Sequence, residues 1–251
     1  MVYQQIGANE DNDTEVPGCI PTGRPTTNVT ISKNKVAAGN LTGPTFYGQI
    51  LKILQPKCHD VVDGNGTCDS TGAHIDKVSY VEKDLADLES ASVTFTIENA
   101  IYRTNEQRDA MLQAVAFTFN ASAQGKNCGA VSYNDCKGGG SEPSDVNSAS
   151  SPGSGCGVPI TMCNLPNLVS VNLLQGGVEV GVMIVWVSFK INGWTEFDCQ
   201  IVADIIDAFY GVAEAVAPET APADTALIID MEAVCAELGS MNGGGGGVSS
   251  T

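Results

Sequence analysis

Nine cysteines, at positions 19, 58, 68, 128, 136, 156, 163, 199 and 235, limit what this chain can fold into more than any other feature. A reduced cytosolic protein keeps that many thiols only for metal or redox work, yet no C-x-x-C pair occurs. The reading that follows is a disulfide-stapled fold made in an oxidising compartment. Three neighbouring pairs bracket short Gly- or Asn-rich loops and are read as local staples: Cys58/Cys68, Cys128/Cys136 and Cys156/Cys163. Cys199 and Cys235 form the fourth candidate pair. An odd total leaves one thiol free or crossing to another chain, and Cys19, isolated between Pro17 and Pro21, is the candidate.

Sequons for N-glycosylation agree with that compartment: Asn12-Asp13-Thr14, Asn28-Val29-Thr30, Asn40-Leu41-Thr42, Asn65-Gly66-Thr67 and Asn120-Ala121-Ser122. All of them precede residue 121, and the apolar second half has none, as expected if glycans mark an outer surface. An extracellular glycoprotein, secreted or at a cell surface, is therefore expected, with N-glycans and, on the Ser- and Pro-rich stretches, O-glycans. Met1-Val2-Tyr3-Gln4-Gln5 has neither the basic start nor the apolar run of a signal peptide, which is what a mature N-terminus would look like. The longest apolar stretch, Val178 to Ile191, carries Glu179 and Lys190 near its ends and is too short for a membrane span.

Charge removes another class of partner. With 29 acidic against 12 basic residues and no Lys/Arg cluster, the formal charge of −17 repels a phosphate backbone at long range, so nucleic acid is excluded. An apolar content of 43% is ample for a buried core and argues against disorder throughout.

Local pattern divides the chain into an extended arm (1–43), one α+β body (44–239) with a loop-rich insertion at 121–157, and a flexible Gly-rich tail (240–251). In the arm, alternation over Thr27–Lys33 puts Thr27, Val29 and Ile31 on one face of a strand and Asn28, Thr30 and Ser32 on the other. Pro44 suits a first helical turn, and a helix carrying Ile50, Leu51 and Leu54 is expected to end before Pro56. Residues 58–78 are read as a Cys-bounded loop with Asp-Gly and Asn-Gly turn chemistry.

Two strand-then-helix units follow. Val93, Phe95 and Ile97 alternate with threonines. Thr104-Asn105-Glu106-Gln107 then supplies a capping box for a helix bearing Met111, Leu112, Val115 and Phe119. Val178–Ile191 is the strongest strand signal, and its apolar residues on both faces from Val182 to Val187 predict a central strand covered on both sides. After it, Ile201, Val202, Ile205, Ile206, Phe209 and Val212 predict a helix. The offsets of the two units, +94 for strands and +90 for helices, suggest an internal repeat. Beyond Pro218 and Pro222 a last helix through Leu227, Ile228, Met231, Val234 and Leu238 completes a C-terminal helical hairpin, which brings Cys199 towards Cys235. The fold class is α+β, mostly antiparallel sheet.

The material for chemistry is thin. Only His59 and His74 are available to a Ser-His-Asp or Cys-His mechanism, and no P-loop, G-x-S-x-G, H-E-x-x-H or dinucleotide motif occurs. Glu98 and Glu196 follow the two best strands, where a glycosidase acid and base would stand. Trp186 reads as core, and Trp194, beside Asn192-Gly193, as a sugar-binding candidate. Asp60–Asp69 has the outline of a calcium loop, but the EF-hand template leaves non-ligands at its first and twelfth places. A stapled turn is the simpler reading, and no catalytic residue, cofactor or metal is assigned.

Strand addition from the arm to a neighbouring subunit would bury Val29 and Ile31 and satisfy their backbone, whereas folding back would place the same residues on the arm's own sheet. A sequon-bearing arm, Thr27-Asn28-Val29-Thr30-Ile31-Ser32, ahead of a Cys-stapled acidic body resembles subunits of extracellular glycoprotein filaments of aquatic microbes. That resemblance implies polymerisation and a glycan coat. The expected function is accordingly a non-enzymatic, self-assembling subunit of an extracellular fibre or coat. The alternatives are a secreted carbohydrate- or cell-surface-binding domain and a carboxylate-based glycoside hydrolase.

Overall fold

Period-2 alternation, modest in any one segment, organises most of this molecule. The computed structural model describes residues 3–4, 20–21, 25–62, 64–82, 87–134, 157–191, 197–206 and 231–237. Its strands are β1 (Tyr3–Gln4), β2 (Ile20–Pro21), β3 (Pro25–Ser32), β4 (Lys35–Gly39), β5 (Ala73–Val81), β6 (Leu88–Ile101), β7 (Cys128–Asn134), β8 (Gly157–Pro166), β9 (Leu168–Gln175), β10 (Val178–Ser188) and β11 (Met231–Ala236). The helices are α1 (Pro44–Leu54), α2 (Asn105–Ser122) and a further helix over residues 199–206.

Six strands form the main sheet in the order β11-β3-β9-β10-β6-β5, antiparallel throughout except for the parallel β11–β3 pair. A three-stranded antiparallel sheet, β4-β8-β7, adjoins its β5 end, and β1 pairs with β2. Both α1 and α2 lie over one face of the main sheet. Val29 and Ile31 from β3, Val169, Val171 and Leu173 from β9, Met183, Val185 and Val187 from β10 and Val93, Phe95 and Ile97 from β6 all point inward. Phe119 of α2 meets Phe95 edge to face at 5.3 Å, and Phe46, Ile50 and Leu54 supply the buried stripe of α1.

Local chemistry sets the helix starts. Pro44 occupies the first turn of α1 after Gly43, whose φ of 83° suits glycine. The Thr104 hydroxyl accepts the Gln107 N–H at 3.2 Å, while the Gln107 side chain accepts the Arg103 N–H at 2.8 Å, so the α2 cap forms reciprocally. The third helix is capped by Asp198, whose carboxylate accepts the Ile201 N–H and whose backbone is gripped by Asn127.

The structure corrects four expectations. First, β3 is not part of a free arm. It lies between β11 and β9 of its own sheet, and β4 joins β8, so residues 25–43 belong to the body. Burial of Val29 and Ile31 there is worth roughly 1.5–3 kcal/mol each. Second, Met231–Ala236 is a strand and not part of a helix. Its alternation matches β3 residue for residue, and the available sheet edge outcompeted helical propensity.

Third, Cys128 pairs with Cys163 and not with Cys136, because the two are cross-strand neighbours of β7 and β8. The pairing of Cys156 with Cys163 falls with it. Fourth, the insertion read at 121–157 starts later, since residues 121–122 end α2 and residues 128–134 pair along β8. The loop read over 58–78 likewise ends where β5 begins at Ala73. β10 is central, between β9 and β6, as expected, with Val182, Ile184 and Trp186 half-buried on the face away from the helices.

Cys58–Cys68 and Cys199–Cys235 are disulfides, the latter joining a helix to a strand. Cys19, Cys136 and Cys156, the outer half of the 201–212 helix and the 240–251 tail lie outside the described residues. The two strand-then-helix units are present as β6–α2 and β10 with the 199–206 helix, and their strands pair with each other, Phe95 against Val187.

Candidate functional site

The chemistry-bearing surface is the face of the main sheet opposite α1 and α2, together with its two edges. Along β10, Met183, Val185 and Val187 face the helices, so Val182, Ile184 and Trp186 stand half-buried on the outer face. Their cross-strand neighbours on β9 are Asn172, Ser170 and Leu168, and Asn28 and Thr30 of β3 continue the first two rows.

On the other side, β6 carries a bulge. Ile184 faces Asn99 and Val185 faces Ile97, so Glu98 is the extra residue, and both Glu98 and Asn99 are exposed. A bulge re-aims a side chain. Here it turns the Glu98 carboxylate to accept the indole N–H of Trp186. Trp186, expected in the core, is thus a surface residue held by Glu98. The two were legible as candidates separately, but only strand pairing put them together.

The two edges of the sheet differ. β5 is crossed by the end of β4, where Gly39 has φ 54°, and a Cβ there would lie 2.5 Å from the Ser79 carbonyl oxygen. That glycine lets Asn40 donate its backbone N–H to Ser79 O and accept the Ser79 N–H on its side chain, each at 2.9 Å. β5 also bulges between Ile75 and Val78, and Lys77 sits there at φ 59°. At the far end the Tyr80 hydroxyl donates to Glu89, and Lys190 donates to the same carboxylate at 2.9 Å while lying over the Tyr80 ring. These bonds hold the Glu89 carboxyl below the usual carboxylate range, the Tyr80 bond being the larger cause, and burial pushes the Tyr80 hydroxyl up.

Among the described residues β11 has none of these guards. It is fastened to β3 by its ladder, which the Lys33 N–H to Ala236 carbonyl bond of 3.1 Å extends, and to the 199–206 helix by Cys199–Cys235. An ion pair links Lys33 to Glu237 at 3.4 Å. Val234 is 52% exposed, and among the described residues no strand pairs with the outer side of β11.

The Cys58–Cys68 loop is built against α2. Tyr102 donates its hydroxyl to the carbonyls of His59 (2.6 Å) and Thr67 (2.8 Å). Gly66 packs so closely that a Cβ would lie 2.0 Å from the Tyr102 ring. Arg108, buried on α2, binds Asp60 and Asp109, which hold its guanidinium firmly protonated, and His59 contacts Asp69 at 3.1 Å. Asp60 and Asp69, the ends of the calcium-loop outline, are therefore each engaged by a basic side chain. Among the described residues no three of His, Cys, Asp and Glu come together as a metal-holding group.

The remaining candidates are placed as follows. Of the sequons, Asn40 and Asn65 are exposed, Asn28 lies half-buried on β3 and Asn120 half-buried on α2. The side-chain oxygens of Asn28 and Asn120 are buried without a partner. His74, on β5, contacts Thr94 at 3.0 Å. Asn12, Trp194 and Glu196 lie outside the described residues, so Glu98 has no described catalytic partner. Sequence reading passed over the strand Leu168–Gln175, although Val169, Val171 and Leu173 alternate with Ser170 and Asn172, and over Lys35–Gly39 and Ala73–Val81.

Fold and surface together define a disulfide-stapled α+β protein whose six-stranded sheet has one edge guarded at β5 and, among the described residues, no strand paired with the outer side of β11. No protein-family model, no curated protein and no solved structure matches this chain. Among the described residues, no helix is long and apolar enough to cross a membrane.

Proposed function

We propose that the chain is a subunit of an extracellular assembly and joins a second copy edge to edge through β11. The observation that carries this reading is that, among the described residues, no strand pairs with the outer side of β11, while Asn40 closes on the opposite edge at β5. An unpaired strand edge is a template for another strand. Disulfides at Cys58–Cys68, Cys128–Cys163 and Cys199–Cys235 support an oxidising, extracellular setting.

Register supports a second copy as the occupant. The Ala236 carbonyl bonds β3, so alternation directs the backbone groups of Val234 and Glu232 the same way and those of Ala233 and Cys235 outward. Two β11 strands set antiparallel about Val234 would place Ala233 opposite Cys235 as a hydrogen-bonded pair and Glu232 opposite Ala236. No like charges would meet, and each side chain would keep its face of the sheet. Such a contact is isologous and closes as a dimer. A second contact elsewhere on the chain would be needed for a fibre.

Ala233→Pro tests this, since it removes an outward-facing N–H and leaves the β3 ladder its bonds. Sedimentation of the full-length chain is expected to show a dimer or larger species that becomes monomeric in A233P with the melting transition retained. A wild-type chain that stays strictly monomeric at high micromolar concentration would overturn the reading.

A further inference from the structure

The geometry points to a docking site for an N-linked glycan on the chain's own surface: the oligosaccharide attached to Asn28 lies across the outer face of the main sheet and covers Val182, Ile184 and Trp186. This goes beyond the edge contact and does not rest on it, because a sugar standing on the face leaves the in-plane edge of β11 open.

Three observations carry it. Both sequon side chains, Asn28 and Thr30, project from β3 onto the face of the sheet opposite the buried Val29 and Ile31, the face that also carries Val182, Ile184 and Trp186. Asn28 buries its side-chain oxygen without a partner while remaining half exposed, so its amide is held against the sheet and does not swing free. In addition, Asn28 leads directly to an apolar stripe. It lies opposite Asn172, which lies opposite Val182, and Thr30 leads through Ser170 to Ile184.

Two strand spacings of ~4.8 Å and up to four residues of ~3.3 Å put Ile184 and Trp186 about 12 and 16 Å from Asn28. That is within reach of the first few sugars of a core. Pyranose rings and N-acetyl methyls present apolar faces, and a Trp186 ring fixed by Glu98 is a preorganised platform for them. Asn172 and Ser170, in the rows between, supply hydrogen-bonding groups for the hydroxyls.

The covalent step is the ordinary one for a sequon. The Asn28 Nδ2–C1 bond forms with a lipid-diphosphate-linked oligosaccharide as the C1–O bond to the diphosphate breaks, and one amide proton leaves to the medium.

The test has two readouts on the secreted full-length chain. Glycopeptide mass spectrometry is expected to find Asn28 occupied. Acrylamide quenching of Trp186, in a Trp194→Phe background, is expected to rise about twofold when the glycan is lost, since covering a flat ring removes roughly one of its two faces from water. Thr30→Val removes the sequon and keeps Asn28, and Asn65→Gln, at an exposed sequon away from this face, serves as the control that leaves quenching unchanged. If T30V fails to fold, enzymatic deglycosylation of the native protein supplies the same comparison. Adding free chitobiose to the deglycosylated chain separates a tethered from an external source, and restored protection only at high concentration is the expected result. An unoccupied Asn28, or quenching that does not change on glycan removal, overturns the inference.

Discussion

The two edges of the main sheet solve one problem in opposite ways. At β5 the unpaired backbone is intercepted by Asn40, displaced by the bulge at Asp76–Lys77 and latched by Tyr80, Glu89 and Lys190. At β11 a six-residue strand lies parallel to β3, its one partner among the described residues, and exposes Val234. Guarding a sheet edge against unwanted pairing is general, and among the described residues such devices gather at β5 and not at β11, the contrast on which the proposed edge contact rests. The Asn40 sequon adds to the asymmetry, since a glycan there would stand beside the β5 edge.

The comparison breaks hardest at the disulfide. Replacing Cys199 and Cys235 together by Ser is expected to cost on the order of 3–4 kcal/mol for a loop spanning 36 residues. The β11 amides should lose hydrogen-exchange protection before the rest of the sheet. Unchanged protection would mean that the β3 ladder alone fastens the edge. Opening the guarded side has a smaller effect: Asn40→Ala leaves the Ser79 N–H unpaired, costs about 1–2 kcal/mol in denaturant unfolding and produces oligomers distinct from those abolished by A233P. If light scattering shows no new species, Asn40 is not an edge guard.

Lys77→Gly sharpens the contrast from the other direction. A non-glycine residue at φ 59° is strained, so glycine should raise the melting transition by an amount equivalent to about 0.5–1 kcal/mol, offset in part by the unfolded chain's greater freedom. Acid provides the mildest probe. The folded-state Glu89 carboxyl titrates below its unfolded value, so its stabilisation is present above the ordinary carboxylate range and is lost as pH falls through the folded pKa. Glu89→Gln should flatten that part of the stability profile, and wild-type and E89Q curves that stay parallel from neutral to acid pH would remove the latch from the account.

Most elements were legible where one physical signal dominated. Thr104–Gln107 announced the start of α2, Pro44 that of α1, and strict alternation marked β3 and the centre of β6. Failures came where two periods coincide. Met231 and Val234 suit a helical stripe, yet the segment has six residues that also alternate, and only the vacant edge of β3 decided between them. Cys128 and Cys163 are far apart in sequence but adjacent across a hairpin, so pairing by proximity along the chain chose wrong partners. For the candidate site, Glu98 and Trp186 were both singled out, in different roles. What was illegible was the bulge that joins them, because a bulge depends on the register of two strands.

By itself the sequence determined the class of protein: the cysteines called for a stapled fold, and alternation for a sheet-rich α+β architecture. Those properties are sums over residues or short-range periods. Which strands stand at the edges, which side chains share a face and which cysteines meet are long-range pairings, and they were settled only when β3 found both β9 and β11. A strand specifies its own faces through its pleat, but its neighbours are chosen by competition among all the strands of the chain.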